Sequence, residues 1–256
     1  ICAAGADAVI VQDWAVAQRA RAMCPSLVLH ASTQMAIHNA AGAKMAEDAG
    51  FARVVLAREL SLREIEAIRR QTRLELEVFV HGALCMSASG MCYLSSALGE
   101  RSGNRGLCAQ PCRLNFRENG REYALSLKDL SNFKHLRALA EAGVCSFKIE
   151  GRMRRAEYVA SAVDACRKAL RGEPYDEESL KRMFSRAGFT DGYLTGKRTL
   201  AMFGRRREED VAAEKEYAQM RALYRGECHR VGVDMRFSAD AAGSRLAVSD
   251  GENAVE

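Results

Sequence analysis

A chain of 256 residues with 48% hydrophobic and 28% charged side chains has the makeup of a globular protein, not of a disordered or fibrous one. No apolar run reaches the roughly 18 residues of a membrane span, and no charged-then-apolar leader opens the chain, so a cytoplasmic protein without a membrane partner is expected. The net charge of +5 permits an anionic partner such as RNA without demanding one.

The first apolar run lies in AGADAVIV from Ala4, and its pattern returns as AGFARVVL from Ala49 and AGVCSFKI from Ala142. In each, Ala-Gly closes a helical stretch and an apolar run opens three residues later. Glycine just past a helix end takes the left-handed conformation cheaply. The run that follows reads as a strand buried on both faces, as in a parallel sheet. Gly5, Gly50 and Gly143 are spaced by one and about two repeats of roughly 45 residues. Two further strands fit between them, LVLHAS at 27–32 and LELEVFVHG at 74–82. Helices are expected at 15–24, 37–48, 131–141 and 154–170. Another opens on the capping box Ser61-Leu62-Arg63-Glu64, with Leu60 and Ile65 at staple positions.

Alternating strands and helices leave an open doubly wound sheet or a (β/α)8 barrel. No G-x-G-x-x-G follows a strand, which argues against a dinucleotide-binding sheet. The strands end in polar residues: Gln12-Asp13, His30 to Gln34, Arg58-Glu59, His81-Gly82 and Lys148 to Arg152. Polar groups gathered at strand C-termini characterise the active face of a barrel. The expectation is therefore α/β, a partial (β/α)8 TIM-type barrel with about five of eight strands over 1–172. Within it lies a cysteine-rich insertion at 82–116; a helical extension (173–225) and the start of a β-rich domain (226–256) follow. The chain reads as an internal piece of a longer protein, with about three N-terminal β/α units missing.

Cys85, Cys92, Cys108 and Cys112 form C-x6-C-x15-C-x3-C inside that insertion. Nine cysteines, an odd number, suit a reducing compartment, where clustered thiols are more often metal ligands than disulfides. Four soft sulfurs suit tetrahedral zinc or an iron–sulfur cluster. The spacing lacks the paired C-x2-C of a zinc ribbon, which favours the cluster; a metal-free thiol loop is the plainer alternative. Arg101, Arg105 and Arg113 are interleaved with the cysteines, to neutralise their charge or to grip a carboxylate or phosphate. Strand alternation puts Lys148 and Glu150 on one side with Ile149 opposite, as a lumen pair that is either structural or functional. His30, Gln34 and His81 are placed to line the same mouth, unless the histidines are core residues. Cys2, Cys24, Cys145 and Cys166 read as small core residues, with Cys145 the likeliest stand-in ligand. The run Gly204-Arg205-Arg206-Arg207 is a solvated turn or a contact for RNA phosphates.

VHGALC, SGMCYLSS, RSGNRGLCAQPCR and SFKIEGRM together resemble the peptidase U32 family, the collagenase-like peptidases; LHASTQ, VVLARE and FTDGYLTGK match it too. The resemblance covers roughly residues 3–200 and is strongest toward the longer bacterial members, similar to ribosomal-RNA and transfer-RNA hydroxylation proteins. It implies a 4Fe–4S cluster on the four cysteines, RNA (rRNA or tRNA) as partner, and prephenate as a candidate co-substrate. The residues carry no H-E-x-x-H and no G-x-S-x-G, since Ser87-Ala88-Ser89-Gly90 lacks the first glycine. A thiol–histidine dyad of Cys85 with His81 stays open. The expected function is Fe–S-dependent 5-hydroxylation of an RNA pyrimidine. Lys148, Glu150, Arg152, His81 and His30 are its catalytic candidates, and Gln34, Arg58, Arg101, Arg105 and Arg113 its substrate-binding candidates. A collagenase-like peptidase and a noncatalytic cluster scaffold are the alternatives.

Overall fold

The computed structural model describes residues 4–89, 91–152, 154–183, 185–205, 212–225, 234–240, 243–249 and 254–255. In chain order β1 (Ala8–Val11) leads to α1 (Trp14–Met23), β2 (Val28–Ala31), α2 (Ala40–Asp48), β3 (Arg53–Val55), α3 (Leu62–Arg69) and β4 (Glu75–Gly82). After the cysteine segment, which contains α4 (Leu94–Gly99), come β5 (Asp129–Ser131), α5 (Leu136–Glu141), β6 (Val144–Ile149) and α6 (Ala156–Arg171). Next follow α7 (Glu177–Met183), β7 (Phe189–Thr190) and α8 (Glu214–Arg225). The strands β8 (Asp234–Asp240), β9 (Gly243–Ser249) and β10 (Ala254–Val255) form a separate antiparallel sheet. No described helix is long and apolar enough to cross a membrane.

The five expected strands are present, and β1, β2, β3, β4 and β6 pair in parallel in that order. The short β5 pairs antiparallel with the end of β4, and β7 pairs parallel with β5. The fold is thus mixed α/β with a mostly parallel sheet, and among the described residues it is open at β1 and β6. The 173–225 extension is not wholly helical. Its β7 joins the main sheet, while α7 and α8 pack on α6.

Local sequence explains these boundaries. Gly50 (φ 80°) and Gly143 (φ 86°) take the left-handed conformation just after α2 and α5, ending each helix before the next strand. Ser61 and Glu64 cap α3 reciprocally. Asp13 at the end of β1 is also a cap, accepting from the Val16 amide at 2.9 Å, not a site residue.

The helices cover one sheet face, where Leu29, Val54, Leu56, Leu76, Val78, Val80 and Val144 meet Ile65, Ile68, Leu136 and Leu139. Two irregularities interrupt the pairing of β4 with β6, at Leu76/Glu77 and Phe79/His81. Each adds one residue to one strand and so resets which face the following side chains take. The first extra residue is Cys145, which is exposed, not a core residue. Cys166 is buried as expected, Cys24 is half-buried and disulfide-bonded, not a small core thiol, and Cys2 lies outside the described residues.

Leu76 is fully buried, so Leu76→Ala should cost about 2–5 kcal/mol through lost burial and a residual cavity. Ser61→Ala should cost about 1 kcal/mol by removing the cap. Urea unfolding of both variants tests the ranking, and the cap variant proving the less stable of the two would reverse this account of the core.

Candidate functional site

Parallel pairing brings the C-terminal ends of β2, β3, β4 and β6 to one edge, and there lies a cavity of about 610 Å³. All four cysteines, Cys85, Cys92, Cys108 and Cys112, line it, together with Gln34, Arg58, Lys148, Glu150 and Arg152. Its apolar floor includes Val55 and Phe79.

The strand-end side chains are held by specific partners. Arg58, just past β3, stacks over the Phe79 ring at 3.9 Å and donates to the Ala83 carbonyl at 3.0 Å. It also pairs with Glu150 at 3.4 Å. Burial pulls its guanidinium down from the ordinary value, while Glu150 and then Cys85 pull the other way. Glu150 accepts from the Arg152 amide at 2.9 Å through its other oxygen, so both its oxygens serve to position arginines. Lys148 and Glu150 do share a face, since Ile149 packs with the helices, but they do not pair with each other. Lys148 instead pairs with Glu77 of β4 at 2.7 Å. Burial pushes the Glu77 carboxyl up, yet hydrogen bonds from Lys148, Ser146 and Arg53 outweigh it and leave the group below its ordinary value.

The cysteine segment closes over this edge. The Gln34 amide donates to Asn104 Oδ1 at 3.4 Å, joining the end of β2 to the loop. Gly106, at φ 83°, lies directly under the Arg152 guanidinium, and a Cβ there would collide with it. Arg113 donates to the carbonyls of Leu127 at 2.6 Å and Leu84 at 2.5 Å, locking the segment to its flanks.

A single metal ion needs donors converging on one point, and among the described residues no three His, Cys, Asp or Glu side chains do so. The four thiols line one cavity, and four soft sulfur donors are a set that would suit an iron–sulfur cluster. They sense one another: burial raises the Cys85 thiol, and Cys112 and Cys92 raise it further. Burial likewise raises Cys112, with Cys108 and Cys92 adding and Arg113 opposing. Such a ring needs positive compensation, supplied at Cys85 by Arg58 and at Cys112 by Arg113 and Arg186. The Gln110 amide donates to Cys108 Sγ at 3.3 Å, the kind of bond that tunes cluster sulfurs.

The family model for peptidase family U32 matches residues 1–202. The chain belongs to peptidase family U32. It is 44% identical over 174 residues to the 23S rRNA 5-hydroxycytidine C2501 synthase of Escherichia coli, covering 65% of this chain and 26% of that protein. It is 35% identical to tRNA hydroxylation protein P1 of Bacillus subtilis, over 67% of this chain and 44% of that one. It is also 36% identical to a collagenase of Porphyromonas gingivalis, over 75% of this chain and 53% of that one. The chain therefore spans about half or less of the length of these curated relatives.

Five sequence candidates do not line the cavity of this U32 protein. His30 sits mid-strand on β2, half-buried, where burial and then Arg53 lower its pKa. Arg101 donates to the Leu107 carbonyl at 2.9 Å within its own loop, Arg105 is exposed, and Arg113 is the lock described above. His81 is the clearest correction. The irregularity after Phe79 turns it to the helix side, where it stacks on Phe133 at 4.7 Å and Phe189 at 5.0 Å. It is 1% exposed and both ring nitrogens lack a partner among the described residues. The sequence left His81 open between the mouth and the core, and the bulge, which no sequence pattern shows, puts it in the core. Glu59, marked in the sequence only as a strand-end residue, accepts from Ser89 Oγ at 3.0 Å on the cavity wall, and Glu77, the partner of Lys148, had no sequence signal.

Burial lowers His81 from an ordinary 6.5 to about 3. The unfolded chain takes up that proton below its ordinary value and the folded chain does not. The contribution of His81 to stability is therefore complete above pH 6.5 and lost as pH falls from there toward about 3. His81→Phe, which can fill the same aromatic stack, should flatten that acid limb in urea unfolding measured across a pH series. Identical pH dependence in wild type and variant would show that His81 is not held neutral.

Proposed function

We propose that this protein is an enzyme that hydroxylates a pyrimidine, at its 5-position, in ribosomal or transfer RNA, with a 4Fe–4S cluster on Cys85, Cys92, Cys108 and Cys112. The observation that carries the reading is the convergence of these cysteines with Arg58, Lys148, Glu150 and Arg152, far apart in sequence, on one cavity. The names of the E. coli and B. subtilis relatives support the same reaction class. When bound, the cluster would supply electron transfer or Lewis-acid chemistry at the cavity wall.

The chain's own residues would bind and orient. A cavity of about 610 Å³ is in the range that holds one small ligand or an extruded nucleobase. Arg58, Lys148 and Arg152 give it a positive wall suited to an anionic co-substrate, with prephenate, a dicarboxylate, as the candidate. Glu77 and Glu150 hold those cations in place and so act as positioning residues. The peptidase reading rests on the family's name and the P. gingivalis relative. The site chemistry favours it less, because no histidine lines the cavity among the described residues and His81 faces away from Cys85.

We also read the sheet as part of a (β/α)8 barrel. Successive strands lie side by side in parallel, helices cover one face, and Ile10 and Val28 are exposed on the other, where a barrel lumen would enclose them.

Mass spectrometry of ribosomal and transfer RNA from a deletion strain should show the loss of an oxygen-sized addition on one pyrimidine. Complementation with Arg58→Ala or Lys148→Ala should restore it at least roughly tenfold less well than wild type. An unchanged RNA profile in the deletion strain would sink the RNA reading.

Anaerobically purified full-length protein should be brown and hold about four irons. Replacing any of Cys85, Cys92, Cys108 or Cys112 by Ala should bleach it, and Cys166→Ala should not. Colourless wild-type protein with stoichiometric zinc would refute the cluster.

A further inference from the structure

A second cavity, of about 440 Å³, lies beside the first and has no part in the proposed reaction. Three segments wall it: Arg121, Tyr123 and Lys128 on the approach to β5, Ala187 before β7, and Phe203, Gly204 and Arg205 after the 3-10 turn at Leu200–Met202. The first and third are stitched together. The Lys128 amide donates to the Met202 carbonyl at 2.8 Å and the Gly204 amide to the Ser126 carbonyl at 2.9 Å. Ser126 Oγ donates back to the Gly204 carbonyl at 2.7 Å. The floor is therefore built from backbone, not from a flexible surface tail.

Its charge is one-sided. Arg121, Lys128 and Arg205 all line it, and among the described residues no carboxylate pairs with any of them. The one acid in the wall, Glu122, is engaged by Arg117 at 2.7 Å and Asn115 at 3.3 Å, and it also feels the Arg205 charge without forming an ion pair with it. Two of the cations are also held in place. Arg121 stacks over Phe203 at 4.1 Å and Arg205 over Tyr123 at 5.0 Å. A stacked guanidinium keeps its N–H edge free for a phosphate and loses little freedom on binding one.

The two cavities are linked through neighbouring residues and a small core. Leu125 lines the first, whereas Tyr123 and Lys128, two and three residues away, line the second. Phe203 packs on the small core of Val55, Phe79, Leu84, Leu127 and Met202, whose Val55 and Phe79 floor the first cavity. Unpaired cations interleaved with aromatic rings are what single-stranded nucleic acid binds, through phosphates and stacking. Arg206 and Arg207, the rest of the basic run, lie outside the described residues.

We propose that this second cavity docks the phosphate backbone of single-stranded RNA next to the nucleotide held in the first cavity, an inference that rests on RNA being the substrate. The test is fluorescence anisotropy of a labelled oligouridylate with the full-length protein between about 50 and 200 mM salt. The combined Arg121→Ala, Lys128→Ala and Arg205→Ala variant should bind roughly tenfold or more weakly. Its slope of log affinity against log salt should fall by about 2, three phosphate contacts at about 0.7 each. Arg121→Lys with Arg205→Lys should keep the slope, because the charge stays. Combined Lys44→Ala, Arg137→Ala and Lys168→Ala, which removes equal charge from distant helices, should change neither quantity. Should the triple variant unfold, the exposed Arg205→Ala alone should lower the slope by about 0.7.

Wild-type RNA binding with an unaltered slope in the triple variant would overturn the docking site and leave the RNA substrate intact. An equal loss in the distant-charge control would overturn it as bulk electrostatics. Displacement by inorganic pyrophosphate with RNA affinity unaffected by the substitutions would reassign the cavity to a small anion. Equally tight binding of polyglutamate, weakened by the same substitutions, would reassign it to an acidic protein segment. Wild-type protein that binds no RNA, with RNA modification unchanged in the deletion strain, would bring down the substrate reading and this inference with it.

Discussion

Everything at the candidate site depends on the parallel pairing of β4 with β6. Parallel neighbours cannot be joined by a tight turn; the chain must travel back to the starting end of the sheet before the second strand begins. Here it does so between Ala83 and Gly143, and the cysteine segment is the first part of that journey. It therefore leaves from the C-terminal end of β4, the edge where Arg58, Lys148 and Glu150 also emerge. The antiparallel contact of His81 and Gly82 with Ser131 and Leu130 then fastens the returning chain to the same edge. Cysteines on an irregular segment are thereby fixed over a rigid sheet, as a precise site requires.

Charge is managed by pairing at short range. Buried ion pairs are weak contributors to stability, because desolvation offsets much of their attraction. Their use here is positional. Lys148 is held by Glu77, Arg58 by Glu150 and the Phe79 ring, and Arg186 by Asp129 at 2.5 Å. Arg186 also donates to Gln110 at 3.1 Å, so the segment after α7 braces the loop between Cys108 and Cys112. Burial raises the Asp129 carboxyl and Arg186 opposes it. The 173–225 extension is thus a support for the cysteine segment as well as an addition to the sheet.

In the proposed reading the two cavities would divide the work of recognising an extended polyanion. The first combines thiols, a positive wall and an apolar floor, suited to a reacting group held still. The second offers cations that form no ion pair among the described residues, suited to a backbone that carries charge but no information. The stretch from Arg113 to Lys128 mechanically links them. Arg113, next to Cys112, donates to Ser126 at 3.2 Å, and Ser126 in turn holds Gly204.

The sequence determined whatever is written in short-range pattern. Ala-Gly before an apolar run marked the helix ends at Gly50 and Gly143, Ser61 and Glu64 marked a cap, and apolar runs marked five parallel strands. The four cysteines and the polar strand ends were legible as candidates because soft ligands and strand-terminal charges are unusual enough to stand out. Which of them meet was decided only by tertiary structure. Side-chain direction after a bulge depends on pairing with a distant strand, so His81 was turned into the aromatic core and Cys145 left exposed. Partnership depends on register, so Lys148 meets Glu77, not Glu150, and Glu150 meets Arg58. Arg113, read from the sequence as a charge-neutralising or ligand-gripping cation, compensates Cys112 and also serves as a lock, because the chain folds the carbonyls of Leu84 and Leu127 to within its reach.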